Sequence, residues 1–160
     1  MKEMKEIVVI KLGGSTLSEM DNNLKEIAEL HLSGFPLVIV HGGGALISDW
    51  MNKLEIKTDF IDGLRVTDKD SIQIVTAVLG GLVNKTIVAS IINQNCKAIG
   101  LSGIDDNIFT AQFLDQTHGY VGNITNTNSE FIQLLLNEEY LPVIAPIAIN
   151  KSIVNPPLLN

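Results

Sequence analysis

Short apolar runs rich in β-branched residues alternate along this chain with longer stretches whose apolar positions recur at helical spacing. Ile7–Leu12 and Pro36–His41, the latter built on Leu37-Val38-Ile39-Val40, read as buried strands, as do Ala98–Leu101 and Leu141–Ile147. Strands apolar on both faces are what a parallel sheet covered by helices requires. Ser18-Glu19-Met20-Asp21 supplies a capped helix start, with Met20, Leu24, Ile27 and His31 along one face and Gly34 as the stop. Thr67-Asp68-Lys69-Asp70 opens a second helical stretch, apolar-periodic from Ser71 to about Asn93. Gly80-Gly81 interrupts it, so a kink or two abutting helices is expected there. A third helix, from about Ser129 to Glu139, should carry Phe131, Leu134 and Leu135 inward. This order predicts an α/β fold: a mostly parallel, doubly wound sheet with flanking helices and right-handed crossovers.

Two segments depart from that rhythm. Thr58–Thr67 holds the turn pair Asp62-Gly63 between Phe60-Ile61 and Leu64-Arg65-Val66, which predicts a small hairpin. Gly119–Thr127 alternates poorly, yet Tyr120, Val121 and Ile124 suggest a further exposed strand or hairpin.

Composition narrows the class. A chain of 160 residues with 46% hydrophobic and 18% charged residues is globular and large enough to bury a core. Its net charge of −7 argues against a nucleic-acid binder, which would concentrate basic residues on one face. Cys96 is the single cysteine, so no intrachain disulfide is available and a reducing compartment fits. Ile7-Val8-Val9-Ile10 is too short for a signal-peptide core or a membrane span, so a soluble cytoplasmic protein without membrane partners is the expectation.

The candidate chemistry lies at two strand ends. Lys11-Leu12-Gly13-Gly14-Ser15 closes the first strand and His41-Gly42-Gly43-Gly44 closes the second. Ligands of open α/β sheets bind outside the carboxyl ends of the strands, so both loops should face one crevice. Glycines there let backbone N–H groups approach an anion, a helix starting after Gly44 adds its positive end, and Lys11 adds a mobile charge. Tight turns alone would also use glycines, and neither loop matches a common nucleotide fingerprint.

The ordered series Ile-Lys-Leu-Gly-Gly-Ser, Val-His-Gly-Gly-Gly and Gly63-Leu64-Arg65-Val66-Thr67-Asp68 resembles the signature of the acetylglutamate kinases within the amino-acid kinase family. Val83-Asn84-Lys85, Gly100-Leu101-Ser102-Gly103, Gly119-Tyr120-Val121-Gly122 and Pro142-Val143-Ile144-Ala145-Pro146 follow in that family's order, so the resemblance runs from about residue 7 to 148. It implies that Lys11 stabilises a transferring phosphoryl group, that Gly13 and Gly14 donate N–H groups to the same phosphate, and that Gly43 and Gly44 contact substrate. It implies too that Arg65 clamps a carboxylate of the acylated amino acid, for which a planar guanidinium fork is suited. The implied reaction is attack by a side-chain carboxylate of N-acetylglutamate, or a similar acyl amino acid, on the γ-phosphate of ATP carried with Mg2+, a step of arginine biosynthesis. Homodimerisation through this half is implied as well.

The resemblance also marks departures. The family continues for about another hundred residues, a typical domain's worth, holding the nucleotide-base site, a second lysine and an aspartate. Residues 1–150 are therefore expected to form the acyl-amino-acid-binding, phosphoryl-acceptor domain, with 151–160 a short tail and the nucleotide-binding domain absent. Asn155 corresponds to a substrate-binding asparagine of the family, although Pro156-Pro157 replaces what should follow. Two alternatives stay open: a non-catalytic acyl-amino-acid-binding or regulatory module, and a kinase for another acceptor such as carrier-linked aminoadipate. Among the remaining polar residues, His41 is expected to orient its loop rather than transfer protons, and His31 and His118 to lie at the surface or on helix flanks. Asp105-Asp106 reads as a solvated turn and Cys96 as a small buried hydrophobe.

Overall fold

Strands β1 (Val8–Leu12) and β2 (Leu37–His41) run parallel and in register in the computed structural model of the chain, with Val8 beside Leu37 and Leu12 beside His41. The structure describes residues 6–13, 20–152 and 158–160. Helix α1 (Met20–Leu32) forms the crossover between them and buries Leu24, Ile27, Ala28 and His31 along one stripe. After β2 come α2 (Gly44–Lys53), the short hairpin β3 (Phe60–Ile61) and β4 (Leu64–Arg65), and then α3 (Lys69–Thr76). The hairpin turns on Asp62 and Gly63, both at positive φ, as a tight two-residue connection requires.

Helix α3 does not stop or bend away at Gly80-Gly81. It passes through a π-helical stretch, Ala77–Val83, directly into α4 (Asn84–Ile92), with right-handed helical backbone at both junctions. The expected kink or pair of abutting helices is thus replaced by a widened helical segment, Lys69–Ile92. By length and composition alone this segment could cross a membrane. Its Ile72, Val75, Leu79, Val83, Ile87 and Ile91, however, are all buried in the core of the domain.

Strand β5 (Ala98–Ser102), a short turn at Asp105–Asn107, β6 (Phe109–Phe113), β7 (Gly122–Thr127), α5 (Glu130–Asn137), β8 (Leu141–Ala145), β9 (Ala148–Ile149) and β10 (Leu158–Leu159) complete the chain. The main sheet is wholly parallel, in the order β1-β2-β8-β5. Leu37, Ile39, Leu141, Val143 and Ala145 bury one of its faces against α1 to α4, and Val38 and Ile144 bury the other against Ile132 of α5. This two-sided cover is why these strands read as continuous apolar runs. Helix α5 is rotated from its expected setting: Ile132 and Leu135 are buried, whereas Leu134 points outward. Strand β1 lies at the sheet edge, where Val8 and Val9 are exposed at 42% and 63%.

A second, mixed sheet, β10-β9-β6-β7, was not foreseen beyond the weak strand signal near Gly119–Thr127. Its small core is Ala111, Ala148 and Leu159, so Leu158–Leu159, within the segment assigned above to a tail, pair with β9 and pack against the domain.

Candidate functional site

Because β1 and β2 are parallel and in register, the loops that follow them leave the sheet side by side. The backbone ties them together: Gly42 N–H donates to the Leu12 carbonyl at 2.8 Å. Lys11 sits opposite Val40 near the end of β1, with its side chain exposed, and Gly13 follows. Gly14 lies outside the described residues, as does Asn155.

The glycine triplet leads straight into a helix. Gly43 precedes the first turn of α2 and accepts from Ile47 N–H at 2.9 Å, and Gly44 opens the helix. The N–H groups of this first turn have no partner within the helix and carry its positive dipole end. Gly43 is held by a close approach, since a Cβ there would stand 2.7 Å from Leu79 Cδ2 and 3.2 Å from Val83 Cγ2 of the π-helical stretch. Among the described residues nothing lies within 4 Å of where a Cβ on Gly44 would stand. The two adjacent glycines thus meet different constraints.

Arg65 joins the hairpin to this helix start. Its guanidinium Nη2 donates to Ser48 Oγ at 2.6 Å and to the Gly44 carbonyl at 3.1 Å, Nη1 faces Met51 Sδ at 3.4 Å, and its carbon lies 4.7 Å from the Phe60 ring centre. The residue is only 8% exposed, and burial pulls its pKa down from the ordinary arginine value. Among the described residues no carboxylate lies within ion-pairing distance of it. A buried cation whose partners are all neutral retains a strong demand for an anion.

The hairpin is fixed from its other side as well. Thr67 N–H donates to the His118 carbonyl, and Tyr120 N–H donates to the Thr67 carbonyl. The His118 ring, 6% exposed, meets the Asp115 carboxylate through Nδ1 at 2.8 Å and the Ile61 carbonyl through Nε2 at 3.4 Å. The Asp115 contact raises the His118 pKa, while the hydroxyl of Thr117 and the N–H of His118 hold Asp115 well below the usual carboxylate range. His118 is therefore a pin under the hairpin rather than a surface residue. His31 is also buried, with Nε2 donating to the Glu139 carbonyl at 3.2 Å. Asp105 is exposed, as expected, and accepts from Ser102 N–H and Oγ–H. Cys96 is buried, as expected, with its thiol pKa pushed up by burial.

The structure thus brings Lys11, Gly13, Gly43, Gly44 and Arg65 to one end of the main sheet. Sequence reasoning passed over Ser48 and Met51, which seat Arg65, because an ordinary amphipathic helix carries such residues. It also assigned no role to Asn84. The signal was present, since Asn84 falls on the otherwise apolar buried stripe of α4, with Ile87 and Ile91, and a buried amide needs partners.

The chain matches the amino acid kinase family over residues 6–156. It is 44% identical over 146 residues to an acetylglutamate kinase of Dehalococcoides mccartyi, covering 91% of this chain and 54% of that protein. It is 47% identical over 153 residues to the acetylglutamate kinase of Campylobacter hominis, covering 91% and 53%. The chain thus spans about half the length of these relatives. Among solved structures, smu.665 from Streptococcus mutans superimposes with a TM-score of 0.88 at 33% identity, covering 98% of this chain and 64% of that one. The N-acetylglutamate synthase of Neisseria gonorrhoeae shares the fold, with a TM-score of 0.78 at 21% identity over 99% of this chain and 37% of that one. Sequence and architecture agree, and this chain belongs to the amino acid kinase family.

Proposed function

We propose that this chain forms the acceptor-binding part of an acetylglutamate kinase-like phosphotransferase, which transfers the γ-phosphoryl group of ATP to the side-chain carboxylate of N-acetyl-L-glutamate. The observation that carries this reading is Arg65: a buried guanidinium whose partners among the described residues are neutral, held against the helix start that follows the glycine triplet. One carboxylate of the acyl amino acid pairs with Arg65, and the acceptor carboxylate lies near the N–H groups of Gly43 and Gly44. The resemblance assigns the transferring phosphoryl group to Lys11 and the Gly13-Gly14 turn, and a further substrate contact to Asn155.

Both reactants are anions, so the work falls on neutralising charge and aligning an in-line displacement rather than on a general base. A carboxylate oxygen forms a bond to the γ-phosphorus as the bond to the β,γ-bridging oxygen breaks, giving an acyl phosphate and ADP. Mg2+ would enter with ATP as part of the substrate and supply positive charge against its phosphates. Among the described residues no group of three or more His, Cys, Asp and Glu side chains is placed to hold a metal.

Because the chain spans about half the length of its relatives, ligand binding here and catalysis by a whole kinase are separable claims. Thermal unfolding with N-acetyl-L-glutamate and with Mg-ATP, each alone, separates them, since ligand at about 100 times its Kd stabilises by about 2.7 kcal/mol. A shift with the amino acid alone supports an acceptor-binding module, and ADP release across a panel of acyl amino acids then reads activity and acceptor choice. No shift with either ligand contradicts the proposal. Pairing into a homodimer is part of the same reading, supported by the exposed edge strand β1.

A further inference from the structure

His41 and Asn84 form a buried pair behind the glycine triplet. His41 is 1% exposed and Asn84 fully buried. The Asn84 Nδ2 lies 2.9 Å from the Val143 carbonyl, 3.2 Å from the Leu101 carbonyl and 3.1 Å from His41 Nε2. Its Oδ1 accepts from the Lys85 ammonium at 3.1 Å. Carbonyls only accept and an ammonium only donates, so these partners fix which end of the Asn84 amide is the NH2. The two Nδ2 hydrogens are shared among these three acceptors, and because an amide NH2 cannot itself accept, Nε2 presents it a bare lone pair. The proton then sits on Nδ1, which donates to the Gly42 carbonyl at 2.9 Å. Gly100 keeps the space that this arrangement needs, because a Cβ there would run into Asn84 Oδ1.

The consequence lies one bond further on. In a trans peptide the C=O of one residue and the N–H of the next point in opposite directions. Holding the Gly42 carbonyl toward the imidazole therefore turns the Gly43 N–H away from it. We propose that Asn84 and His41 are positioning residues that lock the Gly42–Gly43 peptide so that the Gly43 N–H is presented to an anionic ligand. This rests on the acceptor-binding reading for the ligand, but not for the lock itself. Asn84 selects the tautomer, His41 transmits it, and neither touches the ligand.

Two variants of His41 separate the lock from mere packing. In His41→Asn the amide nitrogen falls where Nδ1 was and can still donate to Gly42, whereas in His41→Gln the polar end falls at Nε2 and cannot. In the 15N-labelled protein near neutral pH, wild-type His41 should be neutral with its proton on Nδ1. His41→Asn should keep the Gly43 amide resonance and its exchange rate near wild type, and His41→Gln should shift both. Loss of one orienting hydrogen bond should weaken N-acetyl-L-glutamate binding about fivefold to tenfold in His41→Gln, with binding largely retained in His41→Asn. A proton found on Nε2 in the wild type, or identical behaviour of the two variants, overturns the proposal. If either variant fails to fold, the wild-type tautomer alone decides. If the wild type binds no N-acetyl-L-glutamate, the acceptor-binding reading fails, and the tautomer and the Gly43 amide still judge the lock.

Discussion

Arg65 Nη2 and Ser48 Oγ stand 2.6 Å apart, which ties the β3–β4 hairpin to the second turn of the helix that follows the glycine triplet. The hydroxyl orients the guanidinium without neutralising it, so the charge remains available to a ligand. Ser48→Ala removes one hydrogen bond and should cost about 1 kcal/mol of stability while raising the Kd for N-acetyl-L-glutamate several-fold. Calorimetric titration and thermal unfolding of the same variant check both parts.

Arg65→Lys keeps the charge and loses the fork. A lysine can hold neither the Ser48 and Gly44 contacts together nor a bidentate carboxylate, so binding should fall about tenfold or more. Wild-type affinity in this variant would remove Arg65 from the site.

Gly43 and Gly44 are adjacent but should respond differently to a methyl group. Gly43→Ala drives a Cβ into Leu79 and Val83 and should cost about 1–3 kcal/mol. At this chain length each 1 kcal/mol lowers Tm by about 2–4 °C. Gly44→Ala meets no described residue within 4 Å, so its Tm should stay near wild type while ligand binding reports any crowding at the helix start.

Two histidines should give opposite pH dependences. Burial lowers the His41 pKa, so the unfolded state takes up a proton first, and stability falls as pH drops below about 6.5 toward the folded value. Asp115 raises the His118 pKa, so its contribution is fully present below about 6.5 and is lost as pH rises through the folded value. The Tm difference between wild type and His118→Gln should therefore be largest in mild acid and shrink above neutrality. A difference that grows with rising pH would contradict the His118–Asp115 contact.

The parts of this architecture legible in the sequence are those whose burial is two-sided or whose turns need special residues. β2 and β8 read as strands because both faces are covered, and Asp62-Gly63 read as a turn because both residues adopt positive φ. The second sheet was hidden because β7, Gly-Asn-Ile-Thr-Asn-Thr, is largely exposed and polar, and β10 is only two residues long. At Gly80-Gly81 the glycines suggested a break. Instead the helix widens there, close to Ile147, whose side-chain tip would lie 3.5 Å from a Cβ on Gly80. In the site, the loops were visible as motifs, whereas Ser48, Met51 and Asp115, which help to seat them, carry no local signature, and Asn84 shows only as a polar residue on a buried helix stripe. Arg65 lies 17 positions from Ser48 and 14 from Met51, and Val143 lies 59 from Asn84, so only the folded arrangement joins them.

In the proposed function, Arg65 and the glycine triplet together hold the carboxylates of an acyl amino acid. Calorimetric titration of N-acetyl-L-glutamate into the wild-type chain and into Arg65→Lys tests it most directly. The account predicts saturable one-site binding to the wild type and at least tenfold weaker binding to the variant. Equal affinities for the two proteins, or no binding to the wild type, would contradict it.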